Sequence, residues 1–230
     1  MHWVIGKRAV QEVLVHCPQR IRTLYATHPF LHAKVLSKKA LTSLVQTEEH
    51  QGVAAEMLER PERSLADLLA HSSRLVMLDM IFDPQNVGAI LRAAECFGVE
   101  GVIFSKNRGM ASLTTTTISK ASAGASELID HVRVSNLADT LRKCQDAGFC
   151  VMAADAHPTA HSLQSFTFPE RGVLLLGSEG RGVQPLLLKQ SDVRLFIPMR
   201  GKLSSLNVAQ ATAVILSHWH ASHPFKPKPS

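Results

Sequence analysis

Gly172-Val-Leu-Leu-Leu-Gly-Ser-Glu-Gly-Arg-Gly182 opens with five uncharged residues and closes in a turn that holds three glycines. A strand made from Gly172–Leu176 has no polar face to turn toward water, so both its faces must be covered. That is the setting of a parallel sheet with helices on either side, and such sheets bind ligands at the carboxyl ends of their strands. The turn can bend sharply and approach a bound molecule closely, because Gly177, Gly180 and Gly182 carry no Cβ. It is not a Walker loop, since Gly-Lys-Ser/Thr is missing, and it is not a Gly-x-Gly-x-x-Gly fingerprint. Glu179 lies among these glycines with its carboxylate held on a tight turn. It reads either as a surface group or as a partner for Arg92 or a ligand.

Outward from this stretch, short β-rich runs alternate with helical patterns from about residue 73. The runs are Leu75–Met80, Gly101–Ser105, Cys150–Ala154, Gly172–Leu176 and Val193–Pro198. The helical patterns lie at Val87–Phe97, Leu113–Ala125, Leu137–Ala147, Pro185–Gln190 and Leu206–His223. This alternation predicts an α/β domain over residues 73–230, by pattern alone an ordinary doubly wound sheet. Residues 1–60 read as a small separate α/β unit, with helices at Val4–Leu14 and His32–Val45 and strands at Ile21–Ala26 and Gly52–Met57. Pro61, in the charged stretch Glu59–Glu62, marks a linker over residues 61–72. The last seven residues, Pro224–Ser230, are Pro-rich and basic, as in a frayed tail.

Composition narrows the class. The chain has 230 residues, 45% hydrophobic and 19% charged, which excludes collagen, coiled coil and wholesale disorder. A formal charge of +6 favours a polyanionic partner without dictating a fold. The four cysteines, Cys17, Cys96, Cys144 and Cys150, form no Cys-x-x-Cys pair and read as free thiols in a reducing compartment. His157-Pro-Thr-Ala-His161 has the His spacing of a zinc-protease helix but lacks its Glu, and Pro158 opposes the helix. No metal site is expected. The N-terminus has no signal pattern and no segment is apolar enough to cross a membrane, so a cytosolic or organelle-matrix protein is expected.

Three further loops stand beside the glycine turn. In Asp83-Pro-Gln-Asn86, Asn86 reads as a cap for the helix beginning near Val87, and Arg92 follows six residues later as a helix residue in solvent or a functional cation. In Ile197-Pro-Met-Arg-Gly-Lys-Leu-Ser-Ser-Leu-Asn-Val208, Ser204 or Ser205 reads as the cap of the last helix. Asn207, then just inside that helix, breaks local preference, which is where a function can hide. The small-residue run Lys120-Ala-Ser-Ala-Gly-Ala125 permits close backbone approach, and Asn107, Arg108 and Thr114–Thr117 before it are rich in donors suited to an RNA groove. Each loop also has a bland reading as a cap, a turn or tight packing. Together they describe a basic α/β protein with a glycine-rich ligand site.

In order, these loops resemble the three signature motifs of the SpoU (TrmH) family of RNA ribose methyltransferases, in the SPOUT superfamily. Asn86 with Arg92 resembles the first, Leu176-Gly-Ser-Glu-Gly180 the second, and Ile197-Pro-Met199 with Ser205-Leu-Asn-Val208 and Ala211 the third. The resemblance covers about residues 73–222, and His50-Gln-Gly-Val53 is similar to the small substrate-binding domain of many members. Ala209 departs from the pattern where many members carry Ser. The likeness is nearest to members that act on guanosine in bacterial large-subunit rRNA and to their mitochondrial relatives.

The resemblance implies a trefoil-knotted parallel sheet, a homodimer with the site at or near its interface, and S-adenosylmethionine as methyl donor. It assigns catalysis to Arg92, Asn86, Glu179, Ser205 and Asn207. Cofactor contacts are expected at Gly177, Ile197, Met199, Leu206 and Ser122. RNA contacts are expected at Arg8, Lys38, Lys39, Arg108 and Lys120, with Lys7, Arg20 and Arg22 adding to the basic N-terminal surface. A tRNA ribose methyltransferase of the same family is the second reading. A noncatalytic RNA-binding factor is the third, and a dehydrogenase ranks last for want of its glycine fingerprint.

Overall fold

A computed structural model describes residues 2–60, 63–106, 110, 112–157, 159–203 and 205–223. The N-terminal unit runs β1 (His2–Ile5), α1 (Lys7–His16), β2 (Ile21–Ala26), β3 (Lys34–Val35), α2 (Lys38–Val45) and β4 (Val53–Met57). Its sheet has the order β1-β4-β2-β3, with β4 antiparallel to both β1 and β2. Period-2 alternation sends Val4 to one face, where α1 packs Ala9, Val10 and Val13. It sends Ile5 to the other face, where α2 packs Leu41 and Val45.

Both helices expected in this unit start later than the sequence suggested. Gly6, at φ 90, breaks the chain between Ile5 and Lys7, so the first residues form a strand before α1 begins. Ser37 caps α2 by accepting from the Ala40 amide at 3.2 Å, and the residues before it include the short strand β3.

The second unit begins with α3 (Leu65–His71), inside the segment expected as linker; Leu68 and Leu69 of this helix join the core that follows. Pro61 and Glu62 lie outside the described residues. Then come β5 (Arg74–Asp79), α4 (Pro84–Cys96), β6 (Gly101–Ser105), α5 (Thr116–Ala121), β7 (Asp130–Val134), α6 (Leu137–Asp146), β8 (Cys150–Ala154), β9 (His161–Ser162), β10 (Gly172–Gly177), α7 (Pro185–Gln190), β11 (Val193–Phe196) and α8 (Val208–Ser222). All seven strands pair in parallel, in the order β7-β6-β5-β10-β8-β11-β9. The order departs from simple double winding: β10 follows β8 in the chain yet lies between β5 and β8.

Every residue of β10 is buried, as its apolar run required. Leu174 and Leu176 face α4, α5 and α8, while Val173 and Leu175 face α3, α6 and α7. Trp219 anchors α8: it is 1% exposed, stacks on Phe168 with centroids 5.7 Å apart, and donates from Nε1 to the Pro169 carbonyl at 3.0 Å. Cys17 and Cys144 are buried free thiols, whereas Cys96 is exposed. Burial pushes the Cys144 thiol up to about 12, so it carries no thiolate chemistry near neutral pH. No helix among the described residues is long and apolar enough to cross a membrane.

Candidate active site

The carboxyl ends of β8, β10 and β11 open onto a cleft of about 440 Å³. Its floor is apolar, made by Leu176, Leu195, Ile197, Val208, Ala211 and Ile215. Backbone of the glycine turn forms one wall, and the loop with Met199, Ser205, Leu206 and Asn207 forms the other. The turn closes on itself through the Gly182 amide, which donates to the Ser178 carbonyl at 2.8 Å. Gly177 has no room for a side chain: a Cβ there would overlap the backbone of Gly182 and Val183. Asp79, fully buried at the end of β5, holds the exit of the turn by accepting from the Gln184 amide at 2.8 Å and from its Nε2 at 2.6 Å.

Three side chains meet at the rim. Asn86 Nδ2 donates to Glu179 Oε1 at 3.1 Å, and Asn207 Nδ2 donates to Asn86 Oδ1 at 2.9 Å and to Glu179 Oε1. Asn207 also caps α8, with Oδ1 accepting from the amides of Ala209 at 2.9 Å and Gln210 at 3.3 Å. One amide group thus ends a helix with its oxygen and gathers two loops with its nitrogen. It is the cap that the sequence reading gave to Ser204 or Ser205, so Asn207 breaks no helix preference. Likewise α4 is capped by Asp83, whose Oδ1 accepts from the Gln85 amide at 3.1 Å; Asn86 sits inside the first turn. Pro84 starts α4 one residue after that cap, which is what moves Asn86 inward.

Residues 73–217 match the model of the SpoU rRNA Methylase family. The chain belongs to the SpoU family. It is 32% identical to the 23S rRNA (guanosine-2'-O-)-methyltransferase RlmB of Salmonella typhimurium, over 93% of this chain and 95% of that one. A TrmH-family structure from Porphyromonas gingivalis superposes with a TM-score of 0.73 at 29% identity, covering 95% of this chain and 88% of that one. The AdoMet-bound rRNA methyltransferase of Sinorhizobium meliloti, at 24% identity, shares the fold with a TM-score of 0.79 over 98% of this chain and 88% of that one.

The SpoU motifs converge only in part within this chain. Asn86, Glu179 and Asn207 are bonded together, and Gly177, Ile197, Met199, Ser205 and Leu206 line the cleft. Arg92 does not reach it. It is exposed on α4, and six residues beyond Asn86 place it about 9 Å along the axis and roughly 240° around the helix. Ser122 also lies elsewhere: it is buried beside α5, with its hydroxyl donating to the Ser119 carbonyl at 3.1 Å and accepting from the Ser126 amide at 3.2 Å. Within this chain the small-residue run serves close packing, with Gly88 of α4 against Ala121 and Ser122.

Among the expected RNA contacts, Arg8, Lys38 and Lys39 are exposed on the N-terminal unit. Lys120 instead reaches Glu49 at 2.5 Å, and Arg20 and Arg22 pair with Glu127 and Glu56. Arg108 and Ser204 lie outside the described residues. Two carboxylates escaped the sequence reading. Asp79 was legible as an acid ending an apolar strand. Asp155, which lines the cleft and pairs with Arg194 Nε at 3.1 Å, was legible in the same way, directly after the apolar run Cys150–Ala154. Among the described residues no cluster of His, Cys, Asp and Glu could hold a metal ion.

Proposed function

We propose that the chain transfers a methyl group from S-adenosylmethionine to the ribose 2′-hydroxyl of a guanosine in large-subunit rRNA, as a cytoplasmic homodimer. Family membership makes it an RNA methyltransferase. The Salmonella relative, named for guanosine-directed 23S rRNA methylation at the 2′ oxygen, aligns through the N-terminal unit as well, which favours rRNA over tRNA.

The observation that carries the reading is the cleft behind the Asn86–Glu179–Asn207 cluster. Its volume lies within the range of small-molecule pockets. Its apolar floor suits an adenine, and Gly177, Ile197 and Leu206 line it, in keeping with backbone contacts to the cofactor's polar groups. The carboxylates of Glu179 and Asp155 suit a ligand bearing a sulfonium and an ammonium. When bound, S-adenosylmethionine supplies a methyl group already attached to a good leaving group. The protein then needs to hold the hydroxyl in line and manage its proton. Asn86, Glu179 and Asn207 keep the rim rigid, and Ser205 adds a hydroxyl beside them.

A guanidinium is a fork of donors with no acceptor, so the part of Arg92 is to grip a phosphate and stabilise charge rather than to remove a proton. Because Arg92 lies outside its own cleft, we place it at the cleft of a second copy. Phe82, Leu186, Met199, Leu203 and Leu206, in segments following the carboxyl ends of β5, β10 and β11, are exposed apolar groups that a second copy would cover. The trefoil knot of the family belongs to the same proposal, with the inserted β10 as its support.

Asn207 separates folding from chemistry. Asn207→Asp keeps an oxygen for the cap but sets a second carboxylate against Glu179. Turnover is expected to fall roughly 10- to 100-fold, with the unfolding midpoint moving by only a few degrees. Asn207→Ala loses the cap too, worth about 1 kcal/mol. Unchanged turnover in Asn207→Asp would remove the cluster from the mechanism.

The reading as a whole is tested with radiolabelled S-adenosylmethionine offered with unmodified large-subunit rRNA and, separately, bulk tRNA. Label in rRNA that survives as an alkali-resistant dinucleotide is expected. Label in tRNA alone would overturn the substrate, and no label in either would leave an RNA-binding protein.

A further inference from the structure

The N-terminal unit is clamped to the methyltransferase domain along α5 and the short helical turn Ala125–Glu127. Glu127 is 2% exposed. Its Oε1 lies 2.8 Å from His2 Nε2, its Oε2 accepts from Arg20 Nη2 at 2.8 Å, and its main-chain oxygen accepts from Arg20 Nη1 at 3.1 Å. Beside it Asp130 pairs with Arg60 and, at 2.7 Å, with Arg63; Arg60 Nη1 also donates to the Ile129 carbonyl at 3.0 Å. On the far side Lys120 reaches across to Glu49. Between them Gly124, at φ 91, lies so close to α1 that a Cβ would stand 3.1 Å from the Ala9 oxygen.

Small domains joined by polar surfaces ordinarily move relative to each other. A buried carboxylate changes that, because a small displacement breaks its bonds to His2 and Arg20 before water can replace them. The clamp also leads toward the chemistry. Gly88 of α4 packs on Ala121 and Ser122 with no space for a side chain, and α4 carries Asn86 and Arg92.

We propose that Glu127 is a positioning residue for RNA. By gripping Arg20 and His2 it holds the N-terminal unit at a set distance from the cleft, and that distance selects which ribose of a bound RNA is methylated. Arg8, Lys38 and Lys39 supply the remote grip. This inference rests on the RNA methyltransferase reading above.

Glu127→Gln keeps the shape and removes the charge. The KM for large-subunit rRNA is expected to rise about tenfold, because remote contacts no longer concentrate the target at the cleft. Turnover at saturation and S-adenosylmethionine affinity by calorimetry should stay within about twofold, a split that general damage to the fold would not produce. Label should also spread to riboses neighbouring the wild-type target. An unchanged KM and an unchanged target ribose would overturn the proposal.

Lys120→Glu and Glu49→Lys decide the matter if Glu127→Gln does not fold. Each alone should raise the KM, and the two together should bring it back. Failure of the pair to restore it would overturn the proposal. If the wild-type chain methylates no RNA, the functional reading has failed on its own. Small-angle scattering then reads the clamp: expansion in Glu127→Gln supports Glu127 as the group that holds the two units together, and superimposable profiles refute that role.

Discussion

Arg92→Ala is expected to lower turnover roughly 100- to 1000-fold while S-adenosylmethionine affinity stays within about twofold. The residue is exposed on α4 and outside the cleft of its own protomer, so removing it should disturb neither the fold nor the pocket. On the proposed reading, what it removes is a guanidinium that faces the RNA at the cleft of a second copy. Arg92→Lys keeps the charge but loses the planar fork that fits a phosphate, and should recover only a small part of the rate. Near-full turnover in Arg92→Lys would show that a point charge suffices.

Gly177→Ala carries the second large effect, and it should act on the cofactor instead. The added Cβ would meet backbone of Gly182 and Val183, which cannot rotate away as a side chain could. Overpacking of this kind costs about 1–3 kcal/mol even where side chains can adjust. Here the turn itself must open, and S-adenosylmethionine affinity should fall at least about 100-fold. Gly180→Ala is the control: it sits at φ 79 with nothing within 4 Å, so it meets only the left-handed backbone cost of about 1–2 kcal/mol. Wild-type calorimetry for Gly177→Ala would mean that the cofactor lies elsewhere.

Mixing the two inactive variants locates Arg92. If it acts across the interface, a mixed dimer has one cleft with both lesions and one with neither, and about a quarter of wild-type activity returns. If it acts within its own protomer, every cleft keeps a lesion and nothing returns.

The sequence was most legible where burial was two-sided. Gly101–Ser105 and Cys150–Ala154 were bounded to the residue, because apolar runs flanked by glycine or charge leave little choice. The strand Asp130–Val134 was passed over although Val132 and Val134 alternate with polar residues, as on a half-covered strand at the sheet edge. The strand His2–Ile5 was missed and its last two residues, Val4 and Ile5, were absorbed into the helix expected over Val4–Leu14, because four residues cannot separate the two periods. At the cleft, the participation of Asn207 was legible as an oddity, but its partners were not. They stand 121 and 28 residues away, and local pattern carries no information at that range. Arg20 misled for the same reason: a charge read singly is assigned to the surface, and only the fold brings it against the buried Glu127.

The insertion of β10 between β5 and β8 has a consequence for how the chain acquires its shape. On the ribosome, the strands that will flank it are made first, and they cannot zip together without closing the slot that it must occupy. The rim contacts span 93 and 121 residues, so their loop-closure entropy is met only when the last helix arrives. Folding should therefore be slow and finish at the C-terminus, with catalytic competence its last event. A nascent or truncated chain that stops before α8 would hold most of the sheet and none of the activity, so that an incomplete enzyme cannot spend the cofactor or mark an RNA.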